Sequence, residues 1–466
     1  MLMNPPNLLV TLAGVLLVGL SNSLAAAVKP NIIIIYADDL GYGDLGCYGH
    51  PTLRTPNLDR LAAEGMRFTE FYSAAEVCTP SRAALLTGRY PIRNGMCHDQ
   101  HRVLRNNSKG GLPKDEVTLA ELLRQEGYAT GMIGKWHLGH LPEHLPPHHG
   151  FDSYFGLPFS NDMMPAPDAP KGREKFYEEN PAYWRTPLLR GTEVIEAQPD
   201  QRQLTRRYTE EAVRFIREKK RTPFFLYFAH TFPHVPLFAS AKFRGTSSAG
   251  FYGDVVEELD WSVGQVLDTL RRERLDRKTL IFFSSDNGPW LIFRHHGGSA
   301  GPLREGKGST WEGGMRVPGI VWWPGRVKSG VQHEMATTMD LLPTCAKLAG
   351  AALPDRPLDG VDISPLLFGT GSVERDAFFY YRGTTLYAAR LGPWKAHFIT
   401  RSGYGSDPAQ PHDPPLLYHL GEDPGERWDR AATQPEALTK IQEAVARHRA
   451  TLQAAPTQLA ETVATP

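Results

Sequence analysis

A chain of 466 residues with 41% hydrophobic and 22% charged residues has room for one large α/β domain and a smaller companion. It is too evenly mixed for a disordered, fibrous or coiled-coil protein. Lysine plus arginine equals aspartate plus glutamate at 51 each, so no global field draws nucleic acid, and attraction for an anionic ligand has to be local.

The first predicted element is the apolar run Asn7 to Leu20, followed by the small-residue stretch Ser21 to Val28. Roughly 14 residues is short for a membrane span and suits a secretory signal peptide, although no Lys or Arg precedes it. Residues 1–27 are expected to be removed on export. The mature chain would then be periplasmic or secreted, with no stable membrane insertion. Four cysteines, Cys47, Cys78, Cys97 and Cys345, are too few for a disulfide scaffold. Pairing of Cys47 with Cys97 is open, but nothing in the spacing demands it.

Four short apolar runs rich in β-branched and aromatic residues read as buried parallel strands: Asn31 to Tyr36, Ala129 to Ile133, Phe224 to Phe228 and Thr279 to Phe283. Helices alternate with them. Thr55-Pro56 opens one that stops at Gly65, and Thr118-Leu-Ala-Glu121 is a capping box for one ending near Gly127. Others fall near Tyr208 to Lys219, Asp254 to Arg274 and Asp340 to Leu348. This alternation predicts a doubly wound α/β sheet over a catalytic unit, residues 28–370.

Between His140 and Pro199 no period holds, which suggests a functional loop system on the substrate rim. Its histidines (His140, His144, His148, His149) do not make a zinc site, because Pro142, Pro146 and Pro147 forbid a regular helix and no cysteine pair accompanies them. After Gly371 the pattern changes. Ala377 to Tyr381, Thr385 to Leu391 and Trp394 to Thr400 read as an antiparallel meander, with Leu416 to Leu420 as a fourth strand. A helix from Pro435 to Leu452 carries Leu438, Ile441, Val445 and Leu452 on one face. Residues 371–466 thus read as a smaller α+β subdomain.

The chemically interesting residues follow the predicted strands. Asp38 and Asp39 come after the first, Lys135 and His137 after the second, His234 after the third, and Asp286 and Asn287 after the fourth. Open α/β sheets bind ligands at the carboxyl ends of their strands, so these distant segments are expected to meet. Asp38, Asp39, Asp286 and Asn287 offer hard oxygen donors, which suit Ca²⁺ or Mg²⁺ and do not suit zinc or copper. Asp44 reads as a brace for its own loop. Cys78 stands at the start of a helix through Ala83 to Thr87, where backbone N–H groups and the helix dipole favour an anion, a thiolate included.

Cys78-Thr-Pro80-Ser81-Arg82, Gly134-Lys135-Trp-His137-Leu-Gly139, Pro233-His234-Val-Pro236 and Gly306-Lys307-Gly308-Ser-Thr-Trp-Glu-Gly-Gly314 occur in this order. Together they resemble the type I, formylglycine-dependent sulfatases. The chain most resembles the arylsulfatase A and N-acetylgalactosamine-6-sulfatase branch, and Phe378-Phe-Tyr-Tyr-Arg-Gly383 and Trp394-Lys-Ala-His397 are similar to the latter. The resemblance runs from Pro30 to about Arg449 and implies an alkaline-phosphatase-like doubly wound sheet. It also implies a hydrolase of aryl or carbohydrate sulfate esters, releasing inorganic sulfate. Cys78 would be oxidised to Cα-formylglycine by a maturation enzyme, and its hydrate would attack sulfur. Asp38, Asp39, Asp286, Asn287 and the converted Cys78 would hold one divalent cation. Arg82 would brace the hydrate, Lys135 and Lys307 would contact sulfate, His137 would act as base, and His234 would protonate the leaving oxygen. His230 is a nearby rival for His234.

Three rivals share parts of this pattern. A same-fold phosphatase with two zinc ions would carry Ser or Thr at 78. A formylglycine-dependent phosphonate or phosphodiester hydrolase shares the Cys78 motif. A non-catalytic binder of sulfated glycans would keep Cys78 as a thiol. The natural sugar and the oligomeric state are not encoded in any spacing.

Overall fold

The computed structural model describes residues 1, 2 and 29–463, so nearly all of the expected leader lies outside the described residues. Among those described, no helix is long and apolar enough to cross a membrane.

The large sheet contains, in chain order, β1 (Asn31–Ala37), β2 (Met66–Tyr72), β3 (Ala129–Gly134), β4 (Ser153–Gly156), β5 (Leu188–Arg190), β6 (Glu193–Glu196), β7 (Phe224–Ala229), β8 (Thr279–Ser285), β9 (Arg316–Trp322), β10 (Gly330–Gln332) and β11 (Ala336–Thr337). Its spatial order is β10-β2-β9-β8-β1-β7-β3-β4-β5-β6, with β11 beside β2. β1 lies between β7 and β8, parallel to both, and pairs Ile33 with Leu226 on one side and Ile281 on the other.

These central strands are apolar throughout because both faces are covered. Ile32, Ile34 and Tyr36 join a core with Leu85, Leu119 and Leu341, from helices Cys78–Thr87, Leu119–Gln125 and Leu341–Ala349. Ile33 and Ile35 join the opposite core with Leu58, Tyr208 and Val263, from helices Pro56–Glu64, Leu204–Lys219 and Gly250–Arg272. The result is three layers, helix–sheet–helix. The Thr118 capping box forms as the sequence suggests.

The sheet is mixed rather than wholly parallel. β9 runs antiparallel to β8 and β2, and β5 runs antiparallel to β4 and β6. β9 contains Pro318 and Gly319, residues that normally argue against a strand interior. β2 alternates, but its register shifts between Phe68 and Phe71, which breaks the period. The segment read as irregular, His140 to Pro199, supplies β4 to β6 at the sheet edge.

A second, antiparallel sheet contains β12 (Phe378–Arg382), β13 (Thr385–Leu391), β14 (Trp394–Thr400) and β15 (Gln410–His419), in that order. β15 starts six residues before the expected Leu416, at Gln410. It tolerates Pro411, Pro414 and Pro415 because it is an edge strand. Helix Pro435–Thr451 packs on this sheet through Leu438, Ile441 and Val445. That core continues into Tyr72, Ala84 and Met315 of the larger unit.

Candidate active site

The four central strands end level, since Ala37 pairs with Ser285, Tyr36 with Ala229, and Ala229 with Gly134. The residues just beyond them therefore crowd one edge. Asp38, Asp39, Asp286, Asn287, Lys135, His137, His234 and Lys307 are all buried there. Asp39 and His137 adopt left-handed backbone (φ 64° and 59°), a conformation that costs an L-residue about 1–3 kcal/mol and clusters at functional sites. Lys135 and His137 thus reach the site through a bent backbone.

Cys78 is the first residue of its helix, and its Sγ lies 3.4 Å from Asp38 Oδ1. One turn on, Arg82 donates from Nε and Nη2 to Asp286 Oδ2 (3.0 and 2.8 Å) and from Nη1 to the Lys135 carbonyl (2.8 Å). Its Nη2 also sits 3.3 Å from Asp38 Oδ2. Lys135 forms an ion pair with Asp38. Lys307 Nζ is 2.7 Å from Asp39 Oδ1 and 4.0 Å above the Trp290 ring. Three carboxylates (Asp38, Asp39, Asp286) thus face three cations (Arg82, Lys135, Lys307), a balanced set into which one dication and one dianion can enter together.

The fit to a metal ion rests on Asn287 Oδ1, which is buried and accepts no hydrogen bond. Asp38 Oδ2 is buried too and is met by the Lys135 and Arg82 cations. Donor atoms of Asp38, Asp39, Cys78 and His234 lie within 4.8 Å of one another. Asp286 stands outside this tight group: Arg82 occupies its Oδ2, and the Asp39 N–H its Oδ1 at 3.1 Å. Asn287 donates from Nδ2 to Asp39 Oδ1 (2.7 Å), which leaves its carbonyl oxygen free. A thiol and an imidazole beside two carboxylates would also suit a softer ion. Replacing that thiol by an oxygen function, and adding Asn287 Oδ1, turns the set toward hard cations.

Burial, then Asp286 and Asp38, push the Cys78 thiol well above its ordinary value, so it stays protonated. The thiolate that the helix N-terminus was expected to favour is overridden by two carboxylates and desolvation. Burial also raises Asp38, to about 7, with Asp286 adding and Lys135 opposing. Burial would raise Asp286 too, but Arg82, Lys135 and Lys307 outweigh it and hold it low. His137 and His234 are driven well below the usual imidazole value, first by burial and then by Lys135 and Lys307 respectively. Both are neutral. Burial would lower Lys307, but Asp39 outweighs it and keeps the ammonium charged.

His137 Nε2 bonds the Leu104 carbonyl (2.9 Å), and its Nδ1 has no partner. His230 is buried against Phe228 with both nitrogens unpartnered and does not line the cavity, whereas His234 does. Asp44 braces its loop, accepting from Gly41 N, Ser299 N and Tyr252 Oη. All four cysteines are free, so Cys47 and Cys97 do not pair.

Sequence reasoning missed Ser160, whose Oγ bridges Lys135 Nζ (3.2 Å) and His234 Nε2 (3.3 Å). It also missed Trp290, although that residue follows Asp286-Asn287 closely enough to be found. A cavity of about 360 Å³ opens over Cys78, His137, His234 and Lys307, and its outer wall includes Asp162 and Tyr404. The two larger cavities, near Tyr177 and near Arg401, hold none of the residues predicted for the site.

The Lys307 segment is anchored by the second sheet. Lys395 of β14 donates to the Thr310 carbonyl and to Glu312 Oε1 (both 2.9 Å), and lies 2.9 Å from Glu426 Oε1. Tyr72 and Tyr380 hydroxyls also donate to Glu312, and His397 bonds Glu426.

Comparison with known proteins matches residues 30–351 to the Sulfatase family model and residues 373–466 to the C-terminal region of aryl-sulfatase. Bovine (Bos taurus) arylsulfatase A is 46% identical, covering 92% of this chain and 89% of its own length. Canine (Canis lupus familiaris) N-acetylgalactosamine-6-sulfatase is 43% identical, covering 91% and 86%. The crystal structure of Ps i-CgsB in complex with k-i-k-neocarrahexaose superposes with a TM-score of 0.77 at 32% identity, covering 92% of this chain and 95% of that one.

Proposed function

We propose, from the premise that this chain belongs to the sulfatase family and hydrolyses sulfuric esters, that it acts through Cys78 oxidised to Cα-formylglycine. The observation that carries this is the position of Cys78: it heads a buried helix with its thiol sulfur 3.4 Å from Asp38 Oδ1, beside Arg82, Lys135 and Lys307. The hydrated aldehyde offers a hydroxyl in place of that thiol.

One hydroxyl of the hydrate attacks sulfur and releases its proton, and the sulfur–oxygen bond to the leaving alcohol breaks. Lys307 is the charged group at hand to protonate the departing oxygen, with neutral His234 positioned by Ser160 beside it, and the proton released by the attacking hydroxyl restores the one Lys307 gives. Neutral His137 then takes the proton of the second hydroxyl. The carbonyl re-forms, sulfate leaves, and water rehydrates the aldehyde. Lys135 and Lys307 bind the sulfate oxygens, and Arg82 fixes Asp38 and Asp286. Asp38, Asp39, Asp286 and Asn287, with the converted Cys78, would hold one divalent cation, Ca²⁺ before Mg²⁺. When bound, the cation polarises a sulfate oxygen and steadies the attacking one.

The substrate proposed is a sulfated saccharide, with small aryl sulfates as assay substrates. The name of the N-acetylgalactosamine-6-sulfatase relative and the saccharide in the Ps i-CgsB complex support that class. Export to the periplasm or outside the cell, and a formylglycine-generating partner, belong to the same reading.

Peptide mass spectrometry across residue 78, with sulfate release measured on the same sample, tests it. Replacement of CH₂SH by CHO should track activity from batch to batch. Full activity with the thiol intact, or a phosphate diester hydrolysed faster than an aryl sulfate, would sink it.

A further inference from the structure

Of the residues lining the 360 Å³ cavity, Cys78, His137, His234 and Lys307 belong to the sulfate subsite. What remains must face the leaving group. The volume is at the low end of small-molecule sites, roughly 300–1,000 Å³, and suits one ring with its sulfate.

Two aromatic rings meet there. Trp290 lies under Lys307 and 5.2 Å from the His234 ring, and Tyr404 lies 5.2 Å from Trp290 at 44°. Tyr404 is 37% exposed, yet its loop, between β14 and β15, is firmly held. Arg382 donates to the Ser402 and Gly403 carbonyls (2.9 and 3.1 Å). Arg102 donates to Gly403 O (3.3 Å), Gly308 O (3.0 Å) and Glu76 Oε1 (2.8 Å), and its guanidinium sits 5.3 Å from the Tyr404 ring centre. At Gly308, with φ +87°, a Cβ would come within 2.8 Å of the Tyr404 ring, so only glycine permits this contact beside Lys307.

Asp162 adds a polar group of a particular kind. Its Oδ1 is buried and has no hydrogen-bond partner. Burial raises its carboxyl, while Lys135 and Lys307 pull it back. An anion so close to the sulfate-binding lysines hinders sulfate binding, so its use lies elsewhere. A carboxylate oxygen lacking a donor is completed by hydroxyl groups on the leaving group. Contiguous aromatic faces plus a hydroxyl acceptor match a sugar ring, which has an apolar C–H face and hydroxyl donors at its rim.

We propose that Tyr404 and Asp162 are specificity-determining residues, forming with Trp290 a subsite for a single pyranose ring that carries the sulfate ester. Tyr404 stacks on the ring face and Asp162 accepts from a ring hydroxyl. The second sheet thereby enters substrate recognition through one residue. This inference rests on the sulfatase reading and deepens it.

The test compares kcat/KM on 4-nitrophenyl sulfate, which has no hydroxyl donor, with a panel of galactose and N-acetylgalactosamine monosulfates. Asp162→Asn is expected to lower the saccharide-to-aryl ratio about 10- to 100-fold, the worth of a hydrogen bond to a charged group. Tyr404→Ala is expected to raise KM for the sugar at least fivefold with kcat nearly kept, and Tyr404→Phe to restore it. An unchanged ratio in Asp162→Asn, or a wild type that turns over the aryl sulfate but none of the sugars, overturns the subsite and leaves the sulfatase reading standing. A wild type that releases sulfate from neither class sinks both.

Discussion

Arg82 illustrates how much one side chain in this site holds together. It is fully buried and bonded at once to Asp286, Asp38 and the Lys135 carbonyl. Its removal would leave Asp286 buried without its partner and Asp38 with Lys135 alone, and losing one half of such a pair costs about 3–5 kcal/mol. Arg82→Ala is therefore expected to lower stability by that amount in urea titration and to abolish detectable sulfate release. Lys307→Ala, by contrast, removes a charge aimed at the reacting group. A loss of about 10²–10³ in kcat is expected from steady-state rates on an aryl sulfate. The motif residues were legible because they follow a strand end, begin a helix or lie among glycines. Ser160, Asp162 and Tyr404 were not, because they lie in segments without a period and their partners are far away in sequence. The protonated state of Cys78 was also invisible, since it depends on Asp38 and Asp286 arriving from two other strands.

At the scale of elements, the central strands could be read to within two residues, because burial on both faces writes an unbroken apolar run. β9 could not, because Pro318 and Gly319 interrupt the run, and β4 to β6 are too short to show alternation. The contact between β14 and the Lys307 segment was equally hidden, though it carries a clear expectation. Lys395 is buried between Glu312 and Glu426. Burial would raise Glu312, but Lys395, Arg316 and Arg390 outweigh it and bring it down to about 2. A depressed carboxylate adds stability above its unfolded value near 4.5, and that stability is lost as pH falls toward 2. Lys395→Met should cost about 3–5 kcal/mol at neutral pH. It should also weaken the decline in the urea midpoint between pH 4.5 and 2. A midpoint within experimental scatter of wild type would show that the network is not stabilising.

Across the whole molecule, several histidines are buried in the neutral form. His230 and His149 are held at about 3, and His397 at about 4, by burial first. A histidine whose folded value is lowered takes up its proton more readily when unfolded. Stability is therefore lost as pH falls from about 6.5 toward those values. Asp44, raised to about 7, and Asp260, raised to about 6, work in the opposite direction over the same range. The net slope mixes both, so the informative quantity is a difference. His230 is buried against the Phe228 ring and uses neither nitrogen. His230→Phe should therefore gain stability relative to wild type on acidification, by about 3 kcal/mol at pH 4 as an upper value. Parallel stability curves for the two proteins would rule this out.

The seclusion of residue 78 also fixes an order of events. Cys78 is 2% exposed, and every residue of the helix it begins is enclosed by the finished protein. An enzyme that had to grip Cys78 to Arg82 could not do so once the sheets have closed around them. On the proposed formylglycine reading, enzymatic conversion would then come first, on a strand of polypeptide still loose. A purified, folded, thiol-bearing molecule should stay unconverted on incubation with a formylglycine-generating enzyme that converts a short peptide spanning the same residues.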